Sequence, residues 1–387
     1  MNNASLAAFQ TNPLSIIIIG AGIGGLTLAN LLHQAHPAVS VLVFERDSAA
    51  HARTQGGTLG IKKPGGLDAL RQLGMKEAIC AVSQPVTQFT ILSYQGGHLL
   101  TLHGQPHSLR VPRAALRDLL LRDVNPQVTF DACCTGYTER HGKPVVRFAN
   151  GREETSDIVV DCSGVKSAIR QQLIGDRPHY LGLSAISGNV VTTEPYPWLS
   201  AGPVLVIGEG VSLILDQQQD TIGWSATLHT KQKELEFLSP SALHERVSAA
   251  IRHWSAPIRE IISATPTDSI TSLGGFYDRD PLRHARAGTL VLLGDAAHPM
   301  SPFRGEGANM AMLDALSFVE IFRAAQNDQL VQALARYEQE MLTRTRKAVL
   351  QSRKAAKEMH SRNPVARWLL QGKFHLANRF VPHFQKT

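Results

Sequence analysis

Cysteine is scarce in this chain, and what there is lacks the order that a metal site or a disulfide framework requires. Cys80, Cys133, Cys134 and Cys162 are the only four in 387 residues, and none stands in C-x-x-C spacing. Adjacent Cys133 and Cys134 would point to opposite faces of a strand, a geometry that does not pair them. A zinc ribbon and a secreted disulfide scaffold are excluded, and a reduced, cytoplasmic protein is expected. Lys and Arg are missing from the beginning: the first is Arg46. The apolar run from Leu14 to Leu32 therefore has no positive flank, and its glycines are spaced for a turn. It reads as a buried strand, a turn and a helix rather than a signal peptide or a membrane span. Internal repeats, low-complexity tracts, a catalytic triad and a metal-ligand cluster are likewise missing.

Excess charge is confined to one end. The net charge is +7, yet from Val331 onward 12 Lys/Arg stand against three Asp/Glu, which is +9 and leaves the first 330 residues at −2. A basic tail on a slightly acidic body offers no track for a phosphate backbone, and no aromatic RNA-binding signature is present, so nucleic acid is not an expected partner. Arg344, Arg346, Lys347, Arg353, Lys354 and Lys357 read as the solvated face of a helix bracing two domains, in preference to a membrane surface.

What is present is a nucleotide-binding pattern with an interruption. The length suffices for two domains sharing one core. Ser15–Ile19 is a short β-branched run, the mark of a strand buried on both faces. A helix follows from about Gly24 to Gln34, then a strand, Val39–Glu45, completing a βαβ unit. Further on, a helix is expected over Pro112–Asp123, with Pro112 suited to its first turn, and strands over Val128–Cys134, Lys143–Ala149 and Asp157–Asp161. From about Tyr180 to Phe276, short runs such as Val204–Ile207, Ser212–Asp216 and Thr221–Leu228 alternate with turns, which predicts an antiparallel sheet. A buried strand returns at Thr289–Leu293, followed by helices over Gly307–Ala325 and Leu330–Ser361 and a shorter one after Pro364. The expected fold is α/β: a Rossmann-type domain, an inserted antiparallel β-sheet substrate domain and a long C-terminal helix. The Rossmann-type domain takes residues 1–84, 104–178 and 278–328. The substrate domain takes 179–277 with a β-segment from 85–103, and bridging helices take 329–387.

Gly20, Gly22 and Gly25 fit G-x-G-x-x-G between the first strand and the first helix. Gly20 allows the tight turn, Gly22 lets the backbone approach a pyrophosphate at the helix N-terminus, and Gly25 lets helix and sheet pack closely. Glu45 lies 20 residues beyond Gly25, at the end of the second strand, and is placed to accept hydrogen bonds from ribose hydroxyls. These residues fix a dinucleotide but leave FAD and NAD open.

The choice between them falls to Gly294–Asn309, with sequence GDAAHPMSPFRGEGAN. An Asp at the carboxyl end of a buried strand suits a cofactor polyol, and Gly305 and Gly307 let amides approach a flat ring. On these residues the chain resembles the class A FAD-dependent monooxygenases, and among them most closely the Tet(X)-type tetracycline-inactivating enzymes. Gly56-Gly57-Thr58-Leu59 and Gly65-Gly66 resemble that family's segment near the flavin ring, and Arg113-Ala114-Ala115-Leu116-Arg117 its R-x-x-L-R helix. The family's Asp-Gly motif appears as Cys162-Ser163-Gly164, with Ser163 in place of the acid.

The resemblance implies that FAD is held by Gly20, Gly22, Gly25, Glu45, Arg46, Gly57, Arg113, Asp295, Pro302, Gly305, Gly307 and Asn309, with Arg117 a further candidate. It implies NADPH or NADH as a transient reductant, and O2 as co-substrate. The hydroxylated substrate would be an electron-rich enol or phenol of a planar polycyclic molecule, oxidised through a flavin C4a-hydroperoxide. The flavin carries the chemistry, so no protein residue is assigned as catalytic. Trp224, Met300 and Phe303 are expected to line the substrate space, with Met359 and Asn363 closing it. His298 is read as structural, and the chain as a monomer. An aromatic or polyketide hydroxylase is the alternative within the fold, and a non-catalytic flavin-containing drug binder the alternative outside enzymology. A flavin halogenase is disfavoured because W-x-W-x-I-P is missing, and a plain dehydrogenase by Gly294–Asn309.

Overall fold

The computed structural model describes residues 14–52, 57–103, 108–122, 128–192, 196–324 and 330–380. The N-terminal leader, Gly56, Asp123 and Ala325 lie outside that set. A six-stranded sheet has at its centre the isoleucine run Ser15–Ile19, paired in parallel with Ile158–Asp161 on one side and Ser40–Phe44 on the other. Ile16 to Ile19 are all buried, as a strand covered on both faces must be. Leu290–Leu292 extends the sheet beyond Ile158–Asp161 and Val128–Thr129 beyond Ser40–Phe44. The helix Ile23–Ala35 packs against Gly307–Ala324. This lays the two flavin-motif segments, nearly 300 residues apart in sequence, over the same carboxyl ends of the strands.

The inserted sheet has seven strands in the order Thr271–Asp278, His179–Val191, Thr221–His229, Val211–Gln218, Val204–Gly208, Gln88–Ser93 and His98–His103. Its pairings are antiparallel except that Val204–Gly208 runs parallel to Gln88–Ser93. One face packs its apolar residues on the helices Pro240–Ala250 and Ala256–Ser263. A separate small sheet pairs Thr58–Lys62 with Ser108–Pro112, and Gln84–Pro85 with the latter.

Two expected boundaries move. Pro112 ends a strand, opposite Thr58, and the helix begins at Arg113 and runs to Arg122; the fixed φ of proline and its missing N–H suit a strand end as well as a first helical turn. The strand expected over Val128–Cys134 is two, Val128–Thr129 and Cys134–Arg140, because Asp131 takes a left-handed conformation (φ 55°) between them. The two long C-terminal helices are Leu330–Met359 and Pro364–Phe380. Among the described residues no helix is long and apolar enough to cross a membrane.

Candidate active site

The three fingerprint glycines have distinct jobs. Gly20 has φ +104°, and a Cβ there would strike the Cys162 backbone. A Cβ on Gly25 would strike the Gly20 carbonyl, so this glycine seats the helix on the turn. Around Gly22, by contrast, nothing lies within 4 Å of where a Cβ would be. Gly22 also caps the helix Ile23–Ala35 without a side-chain hydrogen bond, and no acid occupies the first turn. The positive end of the helix thus meets open space that no carboxylate of its own fills, which is what a pyrophosphate requires.

Glu45 is buried at the edge of that space. Its Oε2 accepts from the Ala21 amide at 2.7 Å and its Oε1 from the Asp47 amide at 3.0 Å. The carboxylate therefore shapes the glycine turn as well as standing at the ribose position. Arg46, next to it, is exposed. Arg117 is buried and donates to the carbonyls of Ala21, at 3.2 Å, and Ala50. It anchors the turn from behind through these two nitrogens, while its third, Nη2, is buried without a partner among the described residues.

Opposite lies the second motif. Leu290–Leu292 ends at Gly294 (φ +61°), and Asp295 opens onto the groove. Its surroundings in the fold raise its pKa by desolvation, with the charges of His298 and Arg113 pulling the other way. Arg113 is exposed, and its amide bonds the Gly57 carbonyl at 3.0 Å. The loop turns through Pro302–Arg304 and closes on Gly305 at φ +63°. No neighbour lies within 4 Å of a Cβ at Gly57 or Gly305, and at Gly307 only an Asp295 oxygen, at 3.8 Å, does.

Asn309 departs from expectation. It is fully buried, and its Oδ1 accepts from the amides of Lys62 and Gly66, both at 3.0 Å. Its Nδ2 donates to the carbonyls of Gly60, at 2.7 Å, and Gly305, at 3.1 Å. With its hydrogen-bonding groups engaged by the protein, Asn309 ties the flavin loop to the strand Thr58–Lys62 rather than reaching a cofactor. The ion pair Lys62–Glu306, at 2.6 Å, makes the same connection on the outside.

Behind the loop are polar braces that sequence reading passed over. Arg170 is wholly buried and donates to the carbonyls of Ala296, at 3.1 Å, and Ala297, at 2.6 Å. It shares Asp176 with the buried Arg279, each at 2.6 Å. His298 bonds Asp314, which also takes Arg344 at 2.8 Å and the Gly294 amide at 3.1 Å. Burial raises the Asp314 pKa, but His298 and Arg344 overcome it and leave the carboxyl below its ordinary value. His298 is buried and held through Nε2 by Asp314, while its Nδ1 has no partner among the described residues. Asp161 ends the strand Ile158–Asp161 fully buried, accepting from the Ser163 amide at 2.9 Å and from the Ser167 hydroxyl. It is the carboxylate nearest the motif in which Ser163 replaces an acid, and the signal for it was its place two residues earlier.

The flavin loop faces the inserted sheet through Phe303, which stacks against Phe276 (centroids 5.6 Å apart) and His360 (4.7 Å). The Nδ1 of His360 lies 2.8 Å from the Ala356 carbonyl, which can only accept, so Nδ1 carries the proton and Nε2 accepts from the Ser212 hydroxyl at 2.9 Å. Burial keeps this ring neutral, with a pKa lowered to about 4. A cavity of about 370 Å³ lies beside it, lined by Leu181, Leu183, His229, Arg353 and Lys357 among others.

Ser212 shares a sheet face with Ile214 and Asp216, since alternate residues point the same way. Asp216 is paired with the buried Arg110 of the small sheet, while Asp216 Oδ1 and the neighbouring Gln217 Oε1 are buried without a partner. Between these two ends Ile214 is 40% exposed. Ile214 and its cross-strand neighbour Ser225 thus form an exposed stretch of this face, the candidate floor of a slot.

Trp224 is one residue from this floor and on the wrong side of it. It is 3% exposed, packs on the helix-covered face, and donates from Nε1 to Thr265 at 2.9 Å. The expectation that it forms a substrate wall is corrected: in a strand, a step of one residue reverses the face. Met359 packs with the cluster around Ile91 and Leu205, and Asn363 is an exposed cap whose Oδ1 accepts from the Val365 and Ala366 amides at 2.9 and 3.2 Å. Leu205 is the cross-strand partner of Ile214, so Met359 borders that same sheet face. Met300 is half-buried and Pro302 exposed in the flavin loop.

The glycine cradle, the open helix end, and Glu45 and Asp295 beyond the carboxyl ends of parallel strands of one sheet fit a flavin dinucleotide. The comparisons agree. The profile of the FAD binding domain family matches residues 14–352. The chain is 31% identical over 366 residues to a 3-amino-4-hydroxybenzoate 2-monooxygenase of Streptomyces platensis, covering 91% of this chain and 90% of that one. It is 31% identical to the aurachin C monooxygenase/isomerase of Stigmatella aurantiaca, covering 84% of each. In fold it matches HpxO of Klebsiella pneumoniae, solved with FAD and uric acid, at a TM-score of 0.82 and 23% identity, over 97% of this chain and 96% of that one.

Proposed function

This chain belongs to the FAD binding domain family and is an FAD-dependent monooxygenase; within that activity, we propose that it hydroxylates a small, electron-rich aromatic substrate carrying a phenol or amine, with NAD(P)H as reductant. Bound FAD would relay two electrons from NAD(P)H to O2, one oxygen atom going to the substrate and the other leaving as water. The Gly22 turn, Glu45 and Arg46 hold the dinucleotide end. Arg113, Asp295 and the glycines at 57, 305 and 307 hold the ribityl and ring end. Phe303 and His360 form a dry wall against water.

The observation that carries the substrate reading is the slot over Ile214. Ser212 and Asp216 bracket it about 13 Å apart along one strand, a span that suits a single substituted ring. The unpartnered Asp216 Oδ1 is placed to accept a hydrogen bond from a phenol or amine, with the Arg110 guanidinium beside the carboxylate. The aminohydroxybenzoate substrate in the name of one relative has both groups. Tetracycline inactivation rests on the sequence resemblance alone and is the second reading.

The test is NAD(P)H oxidation and O2 uptake by the purified enzyme with 3-amino-4-hydroxybenzoate, 6-hydroxynicotinate and tetracycline, products being read by the added mass of one oxygen. Turnover of the small aromatics is expected. Turnover of tetracycline alone favours the second reading, and binding without stimulated oxidation makes the protein a flavin-containing binder.

A further inference from the structure

We propose that the helix Pro364–Phe380 docks the enzyme onto an anionic lipid surface. One side of this helix is fixed to the body. Leu370 and Phe374 pack into the cluster with Leu99 and Leu100, and Asn378 Oδ1 accepts from the Thr101 amide at 3.1 Å. Lys373 pairs with Glu358 at 3.0 Å and Arg367 with Glu209 at 3.7 Å. A helix held this way has no freedom to roll its other side inward.

That other side is apolar. Val365, Trp368, Leu369 and Leu376 are 65, 71, 51 and 58% exposed. Their spacing of three, four and seven residues puts them on one arc, about 17 Å long from first to last. A soluble surface scatters its exposed apolar groups singly, whereas a contiguous stripe marks an interaction site. An exposed Trp among aliphatic residues suits the boundary between headgroups and acyl chains.

Charge selects the occupant. Residues 364–380 contain no Asp or Glu, while Arg367, Lys373 and Arg379 lie among them and Arg362 just before. Arg379, beside the apolar arc, and Arg362 before the helix complement anionic headgroups, Lys373 at the arc's edge is shared with Glu358, and Arg367 lies on the body side with Glu209. A second copy of the chain fits worse, because a two-fold contact would set the same cations against each other. With no crossing helix among the described residues, the attachment is one of lying on the surface.

The experiment is cosedimentation of the full-length, FAD-loaded enzyme with vesicles of phosphatidylcholine alone and of phosphatidylcholine mixed with phosphatidylglycerol. Binding is expected to the mixed vesicles, weakened by salt. The double variant Trp368→Ser/Leu369→Ser should lose about tenfold or more of that binding, with flavin content and thermal midpoint unchanged because both side chains are exposed. Absence of binding to the mixed vesicles, or equal binding by the variant, overturns the proposal. So does a concentration-dependent dimer that the double variant abolishes, which would assign the face to a second copy.

Discussion

The Glu45 carboxylate accepts the Ala21 amide at 2.7 Å, across 24 residues of sequence, so the acid that ends the second strand also fixes the turn on which the pyrophosphate is to sit. Each oxygen takes one backbone amide and keeps further lone pairs for ribose hydroxyls, and the two tasks predict a graded response to substitution. Glu45→Ala should release FAD and soften the turn together, at a cost of about 1.5–3 kcal/mol in cofactor binding. Glu45→Gln keeps an acceptor for one amide and should fall between. Equilibrium dialysis against FAD reads the affinity; wild-type retention in Glu45→Ala would falsify the ribose assignment.

Asp295→Ala should also lower FAD affinity but leave the apo-protein as stable as wild type, because the side chain opens onto the groove and no other part of the fold hangs on it. Flavin absorbance after gel filtration and the melting midpoint of the apo form separate the two effects. Full flavin occupancy would remove its assigned role.

Asn309→Ala should behave oppositely. Deleting its side chain strands the amides of Lys62 and Gly66 and the carbonyl of Gly60 in the interior, costing about 2–4 kcal/mol of folding stability. Denaturant unfolding of the apo form should show this loss before any cofactor is added. A change confined to FAD affinity would return Asn309 to the cofactor.

The faces of the strand pair Ile214–Ser225 and Leu215–Trp224 are separable by kinetics. Ile214→Phe adds bulk to the slot floor and should raise KM about tenfold or more at nearly constant stability. Trp224→Phe removes the bond to Thr265 and should cost about 1 kcal/mol in unfolding with KM unchanged. The reverse pattern would place the substrate on the other side of the sheet.

His360 predicts a pH dependence. Its folded pKa, about 4, lies below the ordinary 6.5 because burial disfavours the charged ring. The unfolded chain therefore takes up the proton first as pH falls, and stability declines from about pH 6.5 to about pH 4, then levels for this group. Replacing it by Asn should flatten that part of the stability-pH curve. Asp314, held below its ordinary value in the fold, contributes stability above the ordinary carboxylate range that is lost at still lower pH, and Asp314→Asn should remove that second decline.

The parts of this protein that were legible in sequence are those set by local constraint. The isoleucine run could only be a strand buried on both faces, and Gly20 and Gly25 stand where the backbone allows no other side chain. Gly294 and Gly305, both at positive φ, mark the second turn for the same kind of reason. A period-2 pattern likewise reveals that a strand has two faces.

It does not reveal what each face meets, and there the tertiary structure decided. Helices packed on one side of the inserted sheet took Trp224 into a core, and the loop at Phe303 left Ile214 open on the other. Asn309 and Lys62, 247 residues apart, and Arg110 and Asp216 on different sheets carry no mutual signal along the chain. Hydrogen-bond partners and ion pairs of this kind are chosen by chain folding in space, after periodicity and glycine geometry have done their work.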